Sequence, residues 1–265
     1  MLNRIDQKFL HLRSVGKKAL ITYICAGDPS LDATRDLAWG FEQAGVDILE
    51  LGVPFSDPLA DGIVNQMAAA RALNAGTTVA GVLDCVRAIR QRSQIPIVLY
   101  TYMNPIYLYG FEKFHVDAEA AGVDGVLILD LPPDEDAQNS ELSQNTSLKR
   151  IRLIAPTTPT QRIARLTAGA SGFLYYVSRE GVTGERAEVA DSLGERVEEI
   201  RKTTDLPIAV GFGISTPEHV REVAKHADGV VVGSAIVKRI AEFGSSPDLV
   251  GKLAEFVKPL ADATR

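Results

Sequence analysis

The residues of this chain whose types and spacing could do chemistry crowd into one stretch, 47–62, which reads DILELGVPFSDPLADG. Ile48, Leu49 and Leu51 form the apolar run of a short buried strand, and Glu50 stands inside it. A carboxylate in an apolar wall loses hydration, so burial raises its pKa unless a cation or several N–H donors face it. The stretch holds no Lys or Arg. After Glu50 come two prolines (Pro54, Pro58), two further acids (Asp57, Asp61) and Gly62. One acid kept protonated in such a wall, with a second ionised on a loop within reach, is an arrangement for proton transfer. The plainer reading makes Glu50 a strand acid held by an ion pair or by backbone amides. The loop behind it counts against that, being too long and too polar for a mere connection.

Further residues fall where a second chemistry could sit. The segments after three later strands carry Gly181, Gly184, Gly211, Gly213 and Gly233, with Thr183, Ser215 and Ser234. Glycine lets backbone N–H groups approach an anion, and Gly233-Ser234 opens a helical pattern whose N-terminus favours negative charge. The pattern points to a phosphate, although turns alone also call for glycine. Tyr23, Tyr102, Tyr175 and Phe212 could wall a flat apolar part of a substrate, or simply pack in the core. Asn104 and Asp130 also fall just after strands. The four histidines (11, 115, 219, 226) lie in helical patterns, which disfavours a metal site at the strand ends. No lysine sits near a strand end for a Schiff base, and neither a GxSxG elbow nor a GxGxxG after the first strand is present. Acid–base chemistry by carboxylates on a phosphorylated small molecule remains.

Eight short apolar runs alternating with helical patterns must position these groups. The strands read as Ala19–Cys25, Val46–Leu51, Ile97–Tyr102, Gly125–Leu129, Arg150–Ile154, Phe173–Val177, Pro207–Val210 and Gly229–Val232. Helical patterns cover the N-terminal segment through Ile5, Phe9 and Leu12, then Ser30–Ala44, Ile63–Leu73, Val79–Arg92, Glu112–Ala121, Asp134–Asn145, Gln161–Ala168, Glu188–Thr203, Pro217–Lys225 and a region from Ser234 onward. This is an α/β fold, and eight apolar strands favour a single closed (β/α)8 barrel, the TIM barrel, over 1–265. It carries an N-terminal helix and an extra helix after strand two. AGVDILELG, AGVDGVLILD and HADGVVVGS repeat one unit of helix stop, Asp and strand. A chain of 265 residues, 46% hydrophobic and 23% charged, suits one soluble globular domain. Its net charge of −6 gives no basic stripe for nucleic acid. No apolar run reaches membrane-spanning length, and the first residues lack the apolar core of a signal peptide. Cys25 and Cys85 read as reduced thiols, which implies a cytoplasmic setting.

The fourteen residues Leu49-Glu50-Leu51-Gly52-Val53-Pro54-Phe55-Ser56-Asp57-Pro58-Leu59-Ala60-Asp61-Gly62 resemble the signature of the tryptophan synthase alpha chain family. The resemblance extends along nearly the whole chain, through Gly27-Asp28-Pro29, Tyr102-Met103-Asn104-Pro105, Asp130-Leu131-Pro132, the run 178–184 (SREGVTG), Gly211-Phe212-Gly213-Ile214-Ser215 and Gly233-Ser234-Ala235. It implies cofactor-free retro-aldol cleavage of indole-3-glycerol phosphate to indole and glyceraldehyde 3-phosphate. By position, Glu50 resembles the family's acid–base residue. Asp61 resembles the carboxylate that stabilises positive charge developing at the indole N–H. Thr183 is expected to bond Asp61 when the strand-six loop closes. The phosphate is carried over to Gly184, Gly213, Gly233 and Ser234, and the rest of the substrate to Tyr23, Tyr102, Tyr175 and Phe212. Tyr23 departs from the family, which often has Phe there, and its hydroxyl needs a partner. The family works with a beta chain that holds pyridoxal phosphate, in an alpha2beta2 heterotetramer, and passes it indole. The implied partner surface is Pro54, Asp57, Pro58, Asn104 and Pro132, all of which also belong in ordinary turns. A free-standing lyase and a silent subunit that only activates its partner stay open as alternatives.

Overall fold

The computed structural model describes residues 2–132, 135, 141, 145–178, 186–211 and 213–265, with 186–192 by their backbone alone. Nine strands lie in one parallel sheet: β1 Ala19–Cys25, β2 Ile48–Gly52, β3 Ile97–Thr101, β4 Gly125–Ile128, β5 Lys149–Arg150, β6 Arg152–Ile154, β7 Leu174–Val177, β8 Ile208–Gly211 and β9 Gly229–Val232. Their order is β5-β4-β3-β2-β1-β9-β8-β7-β6. The two edges, β5 and β6, are halves of the one predicted fifth strand, divided at Ile151. The first half pairs with β4 and the second with β7, while Ile151 N–H donates to Val126 O at 3.0 Å. That hand-over closes the sheet into a barrel.

The expected helices form around it, with two differences. The region after Ser234 is two helices, Ser234–Phe243 and Leu249–Asp262. A short helix, Met103–Tyr109, occupies what reads as a turn at Asn104-Pro105. Proline is tolerated in a helix's first turn because its missing N–H would have no partner there. Asp130 completes the start by accepting from Met103 N–H at 2.7 Å. The predicted helix Asp134–Asn145 falls largely outside the described residues.

Alternation along the strands sorts the core. Leu49 and Leu51 face the surrounding helices, whereas Ile48 joins Ala19, Ile21, Val98, Leu127, Ile151, Phe173, Ala209 and Val231 inside the barrel. Ile5, Phe9 and Leu12 of the N-terminal helix Arg4–Ser14 pack into this interior, with the Phe9 and Phe173 ring centres 5.7 Å apart, and form its floor. Two residues further along each strand lies the next inward layer: Tyr23, Glu50, Tyr100, Leu129, Leu153, Tyr175, Gly211 and Gly233. Glu50 points inward because Ile48 does.

The repeated AGVD unit now has a physical meaning. Gly45 and Gly122 end their helices in the left-handed conformation, at φ 99° and 94°. The Asp that follows bonds reciprocally to the preceding strand. Asp47, Asp124 and Asp228 accept from the N–H groups of Leu20, Ile97 and Ile208 at 2.9, 2.8 and 3.0 Å. Their own N–H groups donate to the carbonyls of the same three residues at 2.9, 2.9 and 2.8 Å. The unit therefore sets strand register at the end where the strands begin.

Candidate active site

The inward layer at the strand ends opens into a cavity of about 450 Å³, lined by Tyr23, Glu50, Asp61, Tyr100, Tyr175, Gly213, Gly233 and Ser234 among others. The sequence reading and the geometry thus bring both candidate carboxylates and part of the candidate anion cradle to one space. Thr183, Gly184 and Phe212 lie outside the described residues. The layer is lopsided. On β1, β2, β3 and β7 it carries Tyr, Glu, Tyr and Tyr, and on the adjacent β8 and β9 it carries glycine. A Cβ at Gly211 would stand 2.7 Å from Tyr175 Oη, and one at Gly52 would stand 2.4 Å from Tyr23 Oη. The glycines are the room into which the tyrosines fit.

Glu50 is 1% exposed. Burial pushes its carboxyl up to about 8 from an ordinary 4.5. Among the described residues its Oε1 is buried without a hydrogen-bond partner. A neutral carboxyl at neutral pH, aimed into a cavity, can deliver a proton and later recover one.

Asp61 sits across the loop that follows β2, and its setting is opposite in kind. Tyr100 Oη donates to Oδ1 at 3.1 Å and Tyr102 Oη donates to Oδ2 at 2.8 Å. Asn65 Nδ2 lies 3.4 Å from Oδ1, and the main-chain Asp61 O accepts from Gln66 Nε2 at 2.8 Å. Tyr102 is absent from the cavity's lining and instead stands behind Asp61, where its hydroxyl also accepts from Ala60 N–H at 3.0 Å. Tyr100 was missed in the sequence because it read as one more apolar strand residue. Its inward parity with Val98 was the available signal.

On the far side, Gly213 holds φ 68° and Gly233 precedes the helix Ser234–Phe243. The first amides of an α-helix have no acceptor within it and draw anions. Among the described residues no three His, Cys, Asp or Glu side chains gather as a metal site would need. No described helix is long and apolar enough to cross a membrane.

Around this mouth the predicted partner residues are unevenly displayed. Asp57 and Asn104 are exposed, Pro58 and Pro132 are half-buried, and Pro54 is buried. Large apolar side chains stand beside them in solvent: Leu59 (92% exposed), Ile63 and Met67 after β2, and Tyr107 and Leu108 (76%) after β3.

A sequence model described as "Tryptophan synthase alpha chain" matches residues 9–265. The tryptophan synthase alpha chain of Geobacter sulfurreducens is 49% identical over 262 residues, covering 99% of each chain. That of Citrifermentans bemidjiense is 48% identical over 259 residues, 98% of this chain and 97% of its own. Among solved structures, tryptophan synthase subunit alpha of Legionella pneumophila superposes with a TM-score of 0.89 at 38% identity, covering 100% of this chain and 99% of that one. A chain from the tryptophan synthase a2b2 complex of Pyrococcus furiosus gives 0.84 at 37% identity, covering 93% and 99%.

Proposed function

The chain belongs to the tryptophan synthase alpha chain family, and from that premise we propose that it is a carbon–carbon lyase cleaving indole-3-glycerol phosphate to indole and glyceraldehyde 3-phosphate. It works as one (β/α)8 domain over 1–265. The observation that carries this is Glu50: buried, raised to about 8 and aimed into a cavity it shares with Asp61.

Indole is a poor leaving group until C3 gains a proton, because only then can the ring accept the electrons of the breaking bond. Glu50 supplies that proton. As the ring becomes cationic, Asp61 faces its N–H, and the tyrosines hold the carboxylate in place. Loss of the proton from the glycerol hydroxyl then turns that carbon into the aldehyde, and C–C cleavage restores neutral indole. The same glutamate, now ionised, receives that proton, so the site returns to its starting state. Gly213, Gly233 and Ser234, with Gly184, hold the phosphate, and Tyr23, Tyr175, Thr183 and Phe212 surround the rest. Each step moves protons and electrons within substrate and protein, so this chain needs no cofactor.

The exposed apolar rim around Asp57, Pro58, Asn104 and Pro132 supports docking of a beta chain, with pyridoxal phosphate on that partner and an alpha2beta2 assembly. The free thiols of Cys25 and Cys85 support placing such a complex in the cytoplasm. The test is indole release from indole-3-glycerol phosphate by the purified chain, with and without beta chain. We expect turnover that rises when beta chain is added. No indole under either condition ends the reading, and a rate indifferent to beta chain ends its partner half.

A further inference from the structure

We infer that Tyr100 is a positioning residue that fixes the Asp61 carboxylate for the indole N–H, an inference that rests on the proposed activity. Tyr100 and Tyr102 lie two residues apart at the end of β3 and so project to the same side. Between them they address both oxygens of one carboxylate, Oδ1 at 3.1 Å and Oδ2 at 2.8 Å. Their tasks differ. Tyr102 also accepts from Ala60 N–H at 3.0 Å, so it grips the backbone of the loop as well as its acid. The Tyr100 hydroxyl addresses only the carboxylate: among the described residues it makes one hydrogen bond, and that is to Asp61.

Packing does not explain that hydroxyl. The Tyr100 ring lies nearly edge-on to Tyr23, with ring centres 5.0 Å apart, and a phenylalanine would fill the same space. Burial pushes the Tyr100 phenol well above its ordinary value, with Asp61 adding to the shift, so the hydroxyl keeps its proton and stays a donor. An ionised carboxylate offers roughly four acceptor positions. One phenol on each oxygen stops rotation about the last side-chain bond and leaves lone pairs turned to the cavity. An acceptor already aimed at an N–H before the ring becomes cationic needs no reorganisation when charge develops.

The test pairs Tyr100→Phe with Tyr102→Phe, read by steady-state kinetics with beta chain present and by crystal structures of parent and variants. Tyr100→Phe is expected to lower kcat by about tenfold with KM within about twofold, because alignment and not ground-state binding is lost. Its melting temperature stays within about 2 °C of the parent, since the ring packing is kept and one hydroxyl is removed from a large domain. Its crystals show the Asp61 carboxylate turned from its parent position. Tyr102→Phe raises KM as well, because the loop itself loosens. A carboxylate unmoved in Tyr100→Phe, or a kcat within twofold of the parent, overturns the inference. A parent chain that releases no indole would instead defeat the proposed activity, while the position of Asp61 in the variant crystal would still decide whether Tyr100 holds it.

Discussion

At the end of the barrel where the strands begin, Asp47, Asp124 and Asp228 each accept a strand N–H and each meet cations. Asp124 pairs with Arg4 at 2.9 Å and Arg90 at 2.8 Å, Asp47 with Arg265 at 3.1 Å and Lys8 at 3.6 Å, and Asp228 with Arg201 at 3.0 Å and Lys18 at 3.9 Å. At the other end Glu50, as deeply buried as Asp124, faces no cation and leaves one oxygen unpartnered among the described residues. Burial is the same and the surroundings are not. Even on the paired side burial has a cost, since it pulls the Arg90 guanidinium down to about 10 with Asp124 beside it. A paired carboxylate is committed to the fold, and an unpaired one is free to exchange its proton.

Exchanging or removing these groups should break the two ends in different ways. The largest effect is expected from Glu50→Gln, which keeps the shape and removes the exchangeable proton. Its kcat for indole release should fall by about a thousandfold, and a rate near the parent's would erase the distinction between the ends. Next comes Asp124→Ala, which strands Arg90 and the Ile97 N–H in a buried place. Chemical denaturation should show a loss of about 3 kcal/mol or more, with activity per folded molecule unchanged.

The third expectation concerns pH and the Glu50 end. With the folded value about 8 against an ordinary 4.5, the folded chain binds the Glu50 proton where the unfolded chain has lost it. Parent stability from this group therefore falls as pH rises through that window, by about 1.4 kcal/mol per unit, and levels off above it. Glu50→Gln lacks this slope, so it should gain on the parent between those two pH values in melts followed by circular dichroism. The kcat/KM for indole release should likewise decline above about pH 8 as the acid loses its proton. The smallest effect is Arg265→Ala, which frees the Gly45 carbonyl and one side of Asp47. A loss of about 1 kcal/mol is expected, or roughly 2–4 °C by calorimetry.

Local pattern carried much of this architecture. Ala19–Cys25 and Gly229–Val232 are strands over the residues expected, since each is a largely apolar run entered from a charged residue, Lys18 or Asp228, and followed closely by a glycine, Gly27 or Gly233. The break at Ile151 was not legible, because what divides that strand is a change of neighbour and not a change of composition. The helix at Met103 hid behind Asn104-Pro105, and the acid that completes it comes from 27 residues away. Glu50 announced itself by being charged among apolar neighbours. Tyr100 did not, since tyrosine is unremarkable in a strand and its partner Asp61 lies 39 residues off. Chemistry that depends on one misplaced residue could be read directly; chemistry that depends on a distant pair needed coordinates.

The N-terminal helix has a bearing on traffic through the barrel. With Ile5, Phe9 and Leu12 wedged among the lower side chains, the vessel is corked below, and the exposed apolar rim lies around its upper opening. Whatever molecule sits over that rim stands at the exit, and a neutral aromatic fragment released beneath it meets that molecule before it meets bulk water.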